Sequence, residues 1–178
     1  MLTYLYRGGD LAEGGTELAK HDPTGATKGK KGGKSGNKVF INGAGGFVGR
    51  YVVEEAIAAG YEVVANDLPG KDLAYAEALG AEVRLGDLTS YSFVEGAIKD
   101  CDYIINVAGL FVMSLPYETL YSANVLVSQN MSRAAVARGG IKRFVQIASM
   151  AVYGRPDATP LKEDYPLHPR NNYEKTKG

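Results

Sequence analysis

The amino-acid order of this chain predicts an α/β fold with a doubly wound parallel sheet, and three observations carry the prediction. From Lys38 onward, short β-rich runs alternate with longer stretches of helical periodicity, which is the pattern of βαβ units. The first run, Lys38-Val-Phe-Ile-Asn42, breaks into a glycine-rich turn that opens an amphipathic helix. The later runs Ile104-Ile-Asn-Val107 and Phe144-Val-Gln-Ile147 read as strands buried on both faces, as parallel strands are.

Five strands are expected, at roughly 38–42, 62–66, 82–85, 102–107 and 143–148. The helix after the glycine turn places Val48, Val52, Ala56 and Ala59 on one face and stops at Gly60, suited to a left-handed C-terminal position. Further helices are expected near 71–79, 90–98 and 117–138, and right-handed crossovers give the strand order 3-2-1-4-5. Residues 1–36 differ. Between Gly25 and Gly36 nearly every position is Gly, Lys, Thr, Ser or Ala, which offers no apolar face, so the stretch reads as a flexible tail and linker ahead of a domain at 37–178. Thr16–Lys20 could form a turn of helix too short to persist alone. Gly33-Lys34-Ser35 lacks the glycine that a P-loop needs at position 28, which is Lys28.

Composition narrows the function. The chain has 178 residues, 45% of them hydrophobic, enough for one core. Lys+Arg and Asp+Glu balance at 20 each, so no global charge recruits nucleic acid or an anionic membrane. Lys28, Lys30, Lys31 and Lys34 have no interleaved aromatic residues and read as a solvated linker. A small-molecule substrate is the expected partner. Cys101 stands alone and reads as a buried filler, and with His21 and His168 it cannot assemble the usual thiolate and imidazole metal sites. No apolar run reaches the roughly 18 residues of a membrane span and no signal-like core opens the chain, so the cytoplasm is the expected compartment.

Gly43, Gly46 and Gly49 stand at a GxxGxxG spacing, with separate tasks: the tight turn, close approach of backbone to a pyrophosphate, and close contact of helix with sheet. The amides that open the next helix would face the phosphates. The run Val63-Val-Ala-Asn-Asp67 puts a carboxylate 18 positions after Gly49, at the sheet's carboxyl edge. Such a carboxylate accepts bonds from both adenosine ribose hydroxyls and repels a 2′-phosphate, so Asp67 favours NAD over NADP, with Lys71 and Arg50 as softening influences. Asp87, in Gly86-Asp87-Leu88, reads equally as a contact to adenine or as a cap. Tyr173 and Lys177 are i and i+4, so a helix puts the ammonium near the phenol, where a cation favours the phenolate. Ser149 lies 24 residues upstream at a strand end.

Taken together, Gly43-Ala-Gly-Gly-Phe-Val-Gly49, Asp67, Gly86-Asp87-Leu88, Asn106-Val-Ala-Gly109, Asn124-Val125, Ser149-Met-Ala-Val-Tyr-Gly154 and Tyr173-Glu-Lys-Thr-Lys177 resemble an extended short-chain dehydrogenase/reductase over about residues 38–178. This group holds NAD-dependent epimerases and dehydratases and 3β-hydroxysteroid dehydrogenases. The resemblance implies a Rossmann fold with Phe47 and Val48 by the pyrophosphate, Asp67 and Leu68 by the adenosine ribose, and Asp87 and Leu88 by adenine. It implies Val107, Ala108 and Gly109 along the nicotinamide side, and Asn124 in the helix beneath it. Catalysis falls to Ser149, which orients the substrate oxygen, to Tyr173 as general acid/base, and to Lys177, which also holds the nicotinamide ribose. The reaction implied is hydride transfer at a hydroxyl or ketone carbon of a sugar nucleotide or sterol-like alcohol, and a homodimer through the helices after the fourth and fifth strands. A module that binds or senses NAD(P) without catalysis is the alternative, and an interaction scaffold a third reading. Met150 and Ala151 are not acidic, which argues against dehydration. His168, between Pro166 and Pro169 in Pro166-Leu-His-Pro169, reads as a surface residue.

The chain stops at Gly178, one residue after Lys177, whereas extended members continue into a substrate domain. The expectation is a sheet truncated after about five strands with its last edge exposed, a short Tyr173 helix that frays unless packed, and little or no turnover.

Overall fold

The computed structural model describes residues 3–6, 36–157 and 159–178. The Gly/Lys-rich linker up to Ser35, with Lys28, Lys30, Lys31 and Lys34, the Thr16–Lys20 turn and His21 lie outside the described residues.

The elements run β1 Thr3–Tyr6, β2 Lys38–Asn42, α1 Phe47–Ala58, β3 Glu62–Asn66, α2 Ala74–Ala78, β4 Glu82–Val83, α3 Tyr91–Ala97 and β5 Tyr103–Asn106, then α4 Tyr117–Leu120, a π-helical turn at Tyr121–Leu126, α5 Val127–Arg138, β6 Arg143–Ile147, a 3-10 turn at Met150–Tyr153 and α6 Asn172–Lys177. They form one sheet in the order β1-β6-β5-β2-β3-β4. The five strands from β2 onward are parallel and stand in the expected order 3-2-1-4-5. The sixth strand corrects the expectation of an exposed last edge. β1 pairs antiparallel with β6, Thr3 opposite Ile147 and Tyr6 opposite Phe144, and so covers it.

Core side chains lie on both faces of the sheet. Phe40, Val64 and Ile104 point to one face and meet Val94, Ile98 and Met131 of the α3 and α5 layer. Val39, Ile41, Val63 and Ala65 point to the other and meet Val53 of α1 and Ala76 of α2. The alternation follows from the two-residue period of a strand. Cys101 is wholly buried in the first cluster, and burial pushes its thiol up to about 12, as suits an inert filler.

Burial of β5 and β6 on both faces does not hold. Residues 144–147 are only half-buried, as are Ile105 and Val107. Among the described residues α1 and α2 cover only the β2–β3 half of their face. The open half leaves an apolar groove of about 850 Å³ between α1 and the β5–β6 strands, lined by Val39, Tyr51, Val52, Tyr103, Ile105 and Val145.

At the amino edge, Lys38 reaches Asp100 at 2.8 Å and Glu82 at 3.2 Å, while Arg84 bonds Asp100 and Glu82 at 2.8 and 2.7 Å. Arg84 first, then Lys38, hold the Asp100 carboxyl well below the usual carboxylate range and lower that of Glu82. The sign follows from linkage: the unfolded chain takes up these protons more readily, so the stabilisation is present above the unfolded carboxyl pKa values and is lost as pH falls. Thermal melts should show the midpoint declining from about pH 5 downward, and Asp100→Asn should flatten that decline. The slope is modest because both carboxylates are partly solvated. Identical profiles for the two proteins would remove the network from the account of acid stability.

Candidate active site

The carboxyl edge of the sheet is built on a row of amides. Asn42, Asn66 and Asn106 end β2, β3 and β5, and Gln146 is the register partner of Asn106 on β6, so four neighbouring strands carry an amide at one level. Asn42 Nδ2 donates to Asn106 Oδ1, and Asn106 Nδ2 donates to Gln146 Oε1 at 2.6 Å and Ser128 Oγ at 3.1 Å. Asn42 Oδ1 accepts from both Val107 N (2.7 Å) and Ala108 N (2.8 Å), which fixes the path of the loop that leaves β5.

Beyond Asn42 the chain turns at Gly43, whose φ of +64° lies in the left-handed region. A Cβ there would also stand 2.9 Å from the Ala108 backbone. The turn is tied on several sides: Ala44 N donates to Asn66 O, Gly45 N to Asp67 Oδ2 and Gly46 N to Gly43 O. Gly49 packs against this turn rather than against the sheet, since its Cβ would sit 2.0 Å from the Gly43 oxygen. A Cβ on Gly46 would meet only the Gly43 oxygen, at 3.2 Å. Gly46 thus leaves its outer side open to a ligand, and the α1 amides that follow have no carbonyl one turn earlier within the helix. Phe47 and Val48 are exposed beside them.

The end of β3 is shaped by Asp67, whose carboxylate accepts from Gly45 N and Leu68 N, both at 2.8 Å, and so joins β3 to the glycine turn. Leu68 is exposed beside it. Asp87 is exposed and caps the turn before α3, accepting from Thr89 N at 2.8 Å. The Leu88 side chain is buried in the core with Val94 and Met131 rather than lining the edge, which leaves its backbone as what it can offer there.

At the other end the sequence-derived residues converge. A Cβ on Gly109 would stand 3.3 Å from Asn124 Oδ1 and 3.5 Å from Lys177 Nζ, which puts the β5 loop, the π-helical turn and α6 in contact. Asn124 is buried, with Oδ1 accepting from Leu110 N (2.7 Å) and Nδ2 donating to Thr176 Oγ1 (2.9 Å). Thr176 Oγ1 in turn donates to Tyr173 O at 2.8 Å. Lys177 Nζ donates to Ile147 O at 2.8 Å, two residues before Ser149, and burial lowers its pKa. Ser149 is half-buried, and its Oγ accepts from Ala151 N at 3.2 Å, opening the 3-10 turn. Tyr173 is buried to 8% exposure, and its ring meets Phe111 edge to face at 4.8 Å. The short α6 is packed and capped: Asn171 Oδ1 accepts from Glu174 N, and the buried Glu174 carboxylate accepts from Arg170 N. A smaller cavity of about 330 Å³ adjoins Asn124, Ser128, Gln146 and Lys177. His168 is exposed on its loop.

Asn42, Phe111 and Thr176 contact the sequence-derived residues and were missed by sequence reasoning. Only Asn42 left a signal, as the polar last residue of an apolar strand, repeated at Asn66 and Asn106. Among the described residues no helix is long and apolar enough to cross a membrane, and no three His, Cys, Asp or Glu side chains cluster to hold a metal ion.

UDP-glucose 4-epimerase 3 of Oryza sativa subsp. japonica is 30% identical over 182 residues, 94% of this chain and 48% of its own. The UDP-glucose 4-epimerase of Bacillus subtilis (strain 168) is 28% identical over 158 residues, 78% of this chain and 44% of its own. Among solved structures, a short-chain dehydrogenase/reductase superfamily protein from Agrobacterium tumefaciens with bound NAD is 30% identical with a TM-score of 0.68, over 79% of this chain and 42% of that one. The chain spans about half the length of the curated relatives it matches. The family model for the NAD dependent epimerase/dehydratase family matches residues 39–178, the same stretch that folds into the parallel sheet and the loops at its carboxyl edge, and the chain belongs to that family.

Proposed function

We propose that this chain is the NAD-binding part of an oxidoreductase or epimerase that acts on a hydroxyl or ketone carbon of a sugar nucleotide. The observation that carries the reading is the convergence of Gly109, Asn124 and Lys177 at the end of β5, with Tyr173 on the same helix as Lys177. The chain's groups fit a dinucleotide: an open Gly46, the first α1 amides, which have no carbonyl one turn earlier within the helix, and a carboxylate at the end of β3. Gly46, Phe47 and Val48 would take the pyrophosphate on the turn that Gly43 and Gly49 form, Asp67 and Leu68 the adenosine ribose, Asp87 and Leu88 the adenine, and Val107 to Gly109 with Asn124 the nicotinamide half. When bound, the cofactor supplies hydride acceptance and return at its nicotinamide C4.

The protein's own residues supply the rest. Tyr173 accepts and returns the substrate hydroxyl proton at its phenolic oxygen. Lys177, whose ammonium donates to the Ile147 carbonyl, lies one turn from Tyr173 on the same helix, would favour the phenolate as a nearby cation does and would donate to the ribose. Ser149 donates to the substrate oxygen and steadies charge that builds on it. The UDP-glucose 4-epimerases among the relatives favour a sugar nucleotide as substrate of the whole protein.

Calorimetric titration with NAD and NADP tests the cofactor half. NAD should bind more tightly than NADP, and Gly46→Val should weaken NAD by at least about tenfold, or 1.4 kcal/mol. Equal NAD affinity in the variant would refute the phosphate assignment. In the whole enzyme, Tyr173→Phe should lower turnover of a UDP-hexose by about 10²- to 10⁴-fold with NAD affinity kept, and unchanged turnover would leave the binding module as the reading.

A further inference from the structure

Tyr75 stands on the short helix α2, well removed in sequence from the glycine motif, yet its hydroxyl donates to Ala44 O at 2.6 Å. Ala44 is fully buried, and its N–H is already given to Asn66 O at 3.0 Å. Both polar groups of this residue are therefore held from outside the turn, one by β3 and one by α2. The neighbours are held as well, Gly45 N by Asp67 and Gly46 N by Gly43 O. Across the ring of Tyr75 lies the Arg50 guanidinium, 4.2 Å from the ring centre, which fixes the ring between α1 and α2. Burial raises the pKa of the phenol, with Arg50 opposing part of that, so the hydroxyl stays a donor throughout the physiological range.

The turn's composition is what makes such a brace matter. Three of the four residues Gly43-Ala-Gly-Gly46 are glycine, which have the widest backbone freedom to lose. A turn that must present amides to a phosphate gains affinity when that freedom is already removed before binding. The bonds to Asn66, Asp67 and Gly43 fix amides, and the Tyr75 hydroxyl fixes a carbonyl in the same turn. Losing it leaves a buried oxygen unpaired, and a small rotation of the Ala44 peptide to find water also tilts the Gly45 amide and the start of α1.

We propose that Tyr75, braced by Arg50, is a positioning residue for the cofactor's pyrophosphate, holding the Ala44 carbonyl so that the amides after Gly46 face the phosphates before ligand arrives. The inference rests on the NAD-binding reading above. It is tested on the purified chain with Tyr75→Phe, which keeps the ring under Arg50 and removes only the hydroxyl. Affinities for NAD, ADP and adenosine are measured by calorimetry, with thermal melts in parallel. NAD and ADP should each weaken by about three- to tenfold, the range of one lost hydrogen bond, and adenosine, which carries no phosphate, should bind as before. Arg50→Met should weaken NAD and ADP in the same direction by a smaller factor. A lower melting temperature with unchanged NAD and ADP affinity would overturn the proposal and leave Tyr75 a structural residue. An equal loss for all three ligands would overturn it too, since the phosphate turn would not be the part affected. Failure of the unaltered chain to bind NAD would be a separate result, one that removes the cofactor reading and this proposal with it.

Discussion

Gly49→Ala should unfold the glycine turn even though alanine is the best helix former and position 49 lies inside α1. The methyl group would stand 2.0 Å from the Gly43 oxygen, 2.7 Å from its carbon and 2.9 Å from Ala44 Cα, all backbone atoms with no rotamer to escape into. Relief requires α1 to lift off the turn, and the turn cannot follow because β3 and α2 hold it through Ala44 and Gly45. Overpacking against side chains costs about 1–3 kcal/mol, so a clash with fixed backbone should cost at least about 3 kcal/mol. Thermal denaturation should show a drop of roughly 6–12 °C at 2–4 °C per kcal/mol. Gly46→Ala is the control, since its Cβ meets one atom at 3.2 Å and should cost under about 1 kcal/mol while weakening NAD. A Gly49→Ala protein that melts within two or three degrees of the parent would show that the contact yields easily.

Asn42→Ala should have the second large effect. The side chain is fully buried and satisfies three neighbours: two backbone amides of the β5 loop and the side-chain oxygen Oδ1 of Asn106. Alanine removes all of these bonds at once, in a place that water reaches poorly. Each unpaired buried group costs about 1–3 kcal/mol, and with partial relaxation the total should be about 3–5 kcal/mol. A local readout separates this from a simple loss of packing. Amide exchange at Val107 and Ala108 should accelerate far more than at Val39 or Phe40 in the same strand region, because only the former lose their acceptor. Uniform acceleration along β2 and β5 would count against the assigned role.

The fold was largely legible because parallel strands are marked by dense β-branched runs and end at the residues that turn them. The order of the five parallel strands followed from chain chirality, which needs no side-chain detail. Thr3–Tyr6 was not legible, since a four-residue strand gains its place from β6 at the other end of the chain, and no local pattern encodes that pairing. Half-burial of β5 and β6 was missed for a related reason: apolar residues mark a surface to be covered without showing what covers it. At the carboxyl edge, the tight turn at Gly43 and the carboxylate at Asp67 were readable because each answers a backbone or edge requirement with a particular residue type, whereas Gly49 packs on the turn and not, as expected, on the sheet. Tyr75 and Thr176 were not readable, because each acts on an element distant in sequence through a single hydroxyl. Leu88 shows the opposite hazard, a motif residue whose side chain the core has claimed.

The π-helical turn at Tyr121–Leu126 amounts to one residue more than an α-helix would use over the same rise. It therefore works as an insertion written into an otherwise continuous helix from Tyr117 to Arg138, dividing it into two reading frames about 100° apart. The frame before it faces α6 and the β5 loop, and the frame after it buries Met131, Ala134 and Ala135 in the core. Asn124 sits at the join and can serve the site without removing a core residue from its face. Deleting a single residue here would bring the two frames into phase, so that one helix could no longer meet both its chemical and its packing obligations. The length of this segment is consequently as strict a constraint on the protein as the identity of any residue in it.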